Sequence, residues 1–99
     1  MGTLMQTEKP EGIIEPDITN ESTTGIPYKV ILFNDDVHSF DEVINQLMIA
    51  INCSFEHARA LAFETHVKGK SVVFTGDLAK CLKVSSVLEE IALHTQIIS

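Results

Sequence analysis

The stretch Tyr28-Lys29-Val30-Ile31-Leu32-Phe33-Asn34-Asp35-Asp36-Val37-His38-Ser39-Phe40 (YKVILFNDDVHSF, residues 28–40) decides how this chain folds. Its first six residues are β-branched, aliphatic or aromatic apart from Lys29, which predicts a strand buried on at least one face. Asn34–His38 then reads as a turn. Ser39 opens a helix: its hydroxyl suits the third helical amide, and Glu42 is placed to reach back to the Ser39 amide, a capping box. Asp41 and Glu42 also suit the positive end of the helix dipole. Phe40, Val43, Ile44, Leu47, Met48 and Ile51 follow at helical spacing and give one apolar stripe, ending near Asn52.

Working outward, Ser54 caps a second helix from Phe55 to about Thr65, with apolar positions Phe55, Ala58, Leu61 and Ala62 and with Phe63 on a neighbouring face. His66–Lys70 breaks that pattern, and Gly69 takes a left-handed conformation at low cost. Ser71–Phe74 predicts a second strand, and Thr75-Gly76-Asp77 a turn and cap. A third helix runs from Leu78 to about His94, and Gln96–Ile98 forms a short last strand. The order β-α-α-β-α-β predicts an α+β fold, with three helices on one face of a small three-stranded sheet of mixed or antiparallel strands.

The first 26 of the 99 residues read differently. Glu8, Glu11, Glu15, Asp17 and Glu21 stand against Lys9 alone, so burial is too small to offset the entropy of ordering. They are expected to form a flexible acidic extension, with the packed domain at 27–99. Gly12-Ile13-Ile14-Glu15 is an apolar island within it that could dock on another surface.

A formal net charge of −7 argues against nucleic acid, which needs clustered Lys and Arg. Cys53 and Cys81 show no paired spacing and suggest a reducing compartment. No apolar run approaches a membrane span, and the N-terminal residues lack the apolar core of a signal peptide. A cytoplasmic protein is expected.

The groups that could carry chemistry are Asn34, Asp35, Asp36, His38 and His66. Two helices joined by a short link pack antiparallel, which brings the end of the second back beside the start of the first and His66 near Asn34 and Asp35. Asn offers acceptor and donor, ionised Asp only accepts, and neutral His offers one acceptor nitrogen; together they suit an ammonium group. Two readings stand beside this one. Asn-Asp after a strand commonly bonds its own backbone as an Asx turn, and His66 could satisfy helix-terminal carbonyls. Phe40 and Val43 face Ala62 and Thr65, a large-against-small arrangement that leaves a cleft if it is not simply core. Cys53 with His57, or His66 with Asp35 and Asp36, lacks the spacing of a metal site, and no activated nucleophile or phosphate loop is present. No metal, cofactor or catalytic residue is implied.

YKVILFNDD, followed by the helix start and then by THVKGK after the second helix, resembles the ClpS adaptor family over about Pro27 to Ile98. The resemblance implies an α+β fold of three helices against a small antiparallel sheet. It also implies a non-enzymatic adaptor that holds proteins beginning with a bulky apolar residue (N-degrons) and hands them to a AAA+ unfoldase, ClpA or a ClpC type. It would assign Asn34, Asp35 and His66 to the substrate's α-amino group. Phe40, Val43, Ala62 and Thr65 would line the side-chain pocket, with Asp36 and His38 at its rim. The acidic extension would correspond to a segment used in delivery. Phe40 and Ala62 stand where the family commonly has Met, Ser39 where it usually has Pro, and Lys80 where an acidic residue is common. The first two changes imply a preference for Phe, Tyr and Trp over Leu, and rejection of Ile and Val, whose stiff χ1 meets Phe40. The alternatives are an interaction module of the same fold without an amine pocket, and an enzyme using Asp35 and His66 as an acid–base pair.

Overall fold

The structure, a computed structural model, describes residues 26–99. The acidic extension and its Gly12–Glu15 island lie outside them, apart from Ile26. The chain runs β1 (Tyr28–Phe33), α1 (Phe40–Ile51), α2 (Phe55–Lys68), β2 (Lys70–Gly76), α3 (Leu78–Glu89) and β3 (Thr95–Ile98). The sheet order is β2-β1-β3, and both pairings are antiparallel. This is the expected β-α-α-β-α-β order, with the first strand in the centre.

β1 is central because it is the most apolar strand. Val30 and Leu32 are fully buried on the helix side. They lie opposite Phe74 and Ser71 of β2, and Ile97 and Thr95 of β3. A bulge at Val30/Ile31 leaves Val73 as the extra residue on β2, and Val73 too is buried. Ile44 and Leu47 of α1, Ala58 and Ala62 of α2, and Cys81, Val84 and Leu88 of α3 complete the core. Gln46 of α1 is buried beside α3 and is satisfied by donating from Nε2 to the Val87 carbonyl, 2.7 Å.

The caps follow from local chemistry. The Ser39–Glu42 capping box forms with both bonds, Glu42 N–H to Ser39 Oγ at 3.1 Å and Ser39 N–H to Glu42 Oε1 at 2.7 Å. Ser54 and Asp77 cap α2 and α3 in the same way, accepting from the amides of His57 and Lys80.

Three boundaries differ from the sequence expectation. α2 continues past Thr65 to Lys68, so His66 lies in its last turn rather than beyond it, and Gly69 (φ 87°) then ends the helix. β2 extends through Thr75 and Gly76, leaving only Asp77 as the cap. α3 stops at Glu89, five residues before His94. There Ala92 is left-handed (φ 66°), its amide donates to the Glu89 carbonyl at 2.9 Å, and the Leu93 amide reaches back to Leu88 at 3.3 Å. That is a Schellman-type closure with alanine where glycine is usual, and it turns Leu93 into the core.

Candidate functional site

The site begins where β1 leaves the sheet. The Phe33 amide donates to the His94 carbonyl (3.0 Å) and the Asn34 amide to the Gly69 carbonyl (2.9 Å). The second bond holds the Asn34–Asp36 turn against the last turn of α2, the turn that carries His66. Gly69 is needed there because its left-handed backbone lets its own amide close on Thr65 (2.9 Å) while its carbonyl accepts from Asn34.

Asp35 organises the turn. Its Oδ1 accepts from the amides of Val37 and His38, both at 2.9 Å, and its Oδ2 pairs with His38 Nδ1 at 2.7 Å. The Asx-turn alternative is therefore realised by Asp35. These bonds, chiefly the one from the His38 amide, hold its carboxyl below the usual carboxylate range. The other ring nitrogen of His38, Nε2, meets the carbonyl of Ile91 just after α3. That carbonyl, and then Asp35, push the imidazole pKa up.

Beside this turn opens a cavity of about 500 Å³. The structure brings all nine residues singled out in the sequence to it: Asn34, Asp35, Asp36, His38, Phe40, Val43, Ala62, Thr65 and His66. Leu32, Phe33, Phe63 and Leu93 also line it and were missed as site residues. Leu32 read as core, which it also is. Phe63 read as lying on a side face of α2. Leu93 falls, on the sequence expectation, inside a longer α3.

The cavity exists because of what α2 turns inward. Its buried residues are Ala58, Ala62 and Thr65, all small, while Phe55 and Phe63 are half exposed, against the expectation that Phe55 packs with the core stripe. Ala62 is 3% exposed and cannot fill the space in front of Phe40 and Val43. Thr65 keeps no free donor for a ligand. Its hydroxyl donates to the Leu61 carbonyl (2.8 Å), so it accepts from Ser71 Oγ at 2.6 Å.

The mouth carries Asn34, Asp35, Asp36 and His66, with no lysine or arginine among the lining residues. Asp35 uses three of its roughly four acceptor positions within the protein, which leaves one for a donor from outside. An acceptor-rich, negatively biased mouth over apolar walls suits a ligand that is cationic at one end and apolar at the other. Nucleophilic chemistry at sulfur is not supported, because burial pushes both thiols, Cys53 and Cys81, up. Among the described residues, no three His, Cys, Asp or Glu side chains stand together as a metal site, and no helix is long and apolar enough to cross a membrane.

Residues 24–96 match the family model described as ATP-dependent Clp protease adaptor protein ClpS. A ClpS adapter protein of Wolinella succinogenes is 35% identical over 77 residues, covering 74% of each chain. The E3 ubiquitin-protein ligase ubr-1 of Caenorhabditis elegans is 33% identical over 70 residues, 71% of this chain but 3% of the ligase, so the likeness is to one small segment of a far larger protein. Among solved structures, Agrobacterium tumefaciens ClpS2 bound to L-phenylalaninamide shares the fold, with a TM-score of 0.63 at 23% identity, covering 72% of this chain and 93% of that one. The chain belongs to the ClpS family of Clp protease adaptor proteins.

Proposed function

We propose that this domain is a non-enzymatic adaptor that captures proteins by a bulky apolar N-terminal residue and delivers them to a Clp-type AAA+ unfoldase. The observation that carries the reading is the single cavity shared by Asn34, Asp35 and His66 at its mouth and Phe40, Val43 and Ala62 on its walls. The protonated α-amine of the substrate docks on Asn34, Asp35 and His66. The first side chain enters the space left by Ala62, and Asp36 and His38 form the rim. The molecule bound to the Agrobacterium neighbour, L-phenylalaninamide, has both required features, a free α-amine and a bulky apolar side chain.

Burial of a Phe or Leu side chain contributes about 1.5–3 kcal/mol, and each charge-assisted hydrogen bond to the amine about 1.5–3 kcal/mol. After the cost of association, these terms give an affinity of roughly micromolar. The delivery step has a second reading. The ligase relatives share this segment but lie in much larger chains, so the same recognition domain can stand in front of a different degradation machinery.

Fluorescence anisotropy with labelled peptides beginning with Phe, Leu or Met, plus an N-acetylated Phe control, tests the recognition step. Free-amine Phe and Leu peptides are expected to bind, Phe the tighter, with affinity falling above pH ~8 as the amine deprotonates. Equal binding of the acetylated peptide would refute the reading and favour an interaction module without an amine pocket.

A further inference from the structure

The adaptor reading gives His38 a place at the rim but leaves the two contacts of its ring unexplained. Its side chain is only 10% exposed and is held at both ring nitrogens: Nδ1 by the Asp35 carboxylate, Nε2 by the Ile91 carbonyl. Both partners are pure acceptors. A neutral imidazole has one N–H and one lone pair, so it satisfies one of them and turns its lone pair on the other. Only the imidazolium, with two N–H groups, satisfies both.

We infer that His38 is a doubly protonated strut that positions the amine-binding turn against the segment after α3 and so sets the width of the pocket mouth. His38 and Ile91 are 53 apart in sequence, and His38 and Asp35 both line the cavity. Leu93, two residues beyond Ile91, lines it as well. The left-handed Ala92 between them fixes the direction of the Ile91–Leu93 segment. His38 is thus a positioning residue, acting through Asp35 and Leu93.

The charges acting on the imidazole favour its protonation. Asp35 lies in its own turn, and Glu42 stands in the first turn of α1. The segment after α3 meets it through the Ile91 carbonyl, while Glu89, at the end of α3, is engaged by the Thr95 hydroxyl at 2.8 Å. The imidazole pKa is accordingly raised, which fixes the sign of the linkage. The strut is complete below about pH 6.5, the ordinary histidine value, and is lost as pH rises through the higher folded value.

Two measurements on the full chain test this, and only the second depends on the adaptor reading. Long-range proton–nitrogen NMR on the ligand-free protein at pH 6.5 is expected to show a proton on each ring nitrogen of His38. A single neutral tautomer at that pH would overturn the proposal whatever the protein binds. Phe-peptide affinity is then compared between wild type and His38→Gln across pH 6–9. The variant is expected to bind about tenfold more weakly at pH 6, with the gap closing as the wild type loses its second ring proton. Taking the ratio cancels the titration of the peptide amine itself. A gap constant with pH would mean that His38 packs without acting as a charged strut. If no Phe peptide binds either protein, the adaptor reading fails while the NMR result still stands or falls alone.

Discussion

The two helices that enclose the cavity bury opposite kinds of residue. α1 sends large side chains into the core, Ile44 and Leu47, both essentially inaccessible. α2 sends in Ala58, Ala62 and Thr65 and leaves Phe63 57% exposed. α1 therefore supplies cohesion, and α2 supplies a close approach that stops short of filling the space. A cavity in so small a domain requires small side chains at the helix contact, and here the alanines of α2 provide them. The cost is small because the backbone of α2 is held independently, by the Ser54 cap at one end and the Gly69 closure at the other.

That contrast can be broken by substitution, and the largest effect lies on the α1 side. Leu47→Ala should lower the unfolding free energy by about 2–5 kcal/mol, since it opens a void in packed core. Phe63→Ala should change it by no more than about 0.5 kcal/mol, because an exposed side chain is being trimmed. Urea denaturation of the two variants is the check, and similar losses would mean that α2 is as cohesive as α1. An intermediate effect is expected from Ala62→Met, which fills the cavity without touching the mouth. Phe-peptide affinity should fall roughly tenfold relative to Leu-peptide affinity, the scale set by one or two methylene groups in a pocket. A ranking unchanged from wild type would place the first side chain elsewhere. The smallest effect is expected at Ala92, where glycine removes the left-handed penalty at φ 66°. Ala92→Gly should stabilise by roughly 0.5–1 kcal/mol, seen as a modest rise in Tm, without loss of the Ile91–Leu93 geometry.

What the sequence shows of this molecule depends on how far apart the interacting residues are. The Ser39–Glu42 box and the left-handed Gly69 are legible because their chemistry is contained within a few residues. The co-location of His66 with Asn34 and Asp35 is legible one step further, since a short link between helices leaves few ways to pack them. The end of α3 is not. Ile91, Ala92 and Leu93 continue an apolar run with no glycine or proline to mark the break, and the reversal is imposed by the fit of Leu93 into the core. The family resemblance implies only a rim role for His38, because its second partner is a backbone carbonyl, which leaves no trace in residue type. The inward face of α2 was half legible: its alanines are visible in the sequence, but the exposure of Phe55 follows from how closely the helix must approach its neighbours.

The strand order has a consequence for how such a protein comes into being. β1 is the first strand of the described domain, yet both of its neighbours come later, at Lys70–Gly76 and Thr95–Ile98. Its amides and carbonyls therefore have no ladder partners while the helices are being synthesised, and the Asn34 amide waits for the Gly69 carbonyl. During translation the capped helices form locally, but the sheet, and with it the mouth of the cavity, closes only when the far end of the domain has left the ribosome. A nascent chain of this kind completes its cavity only when its own synthesis is nearly finished.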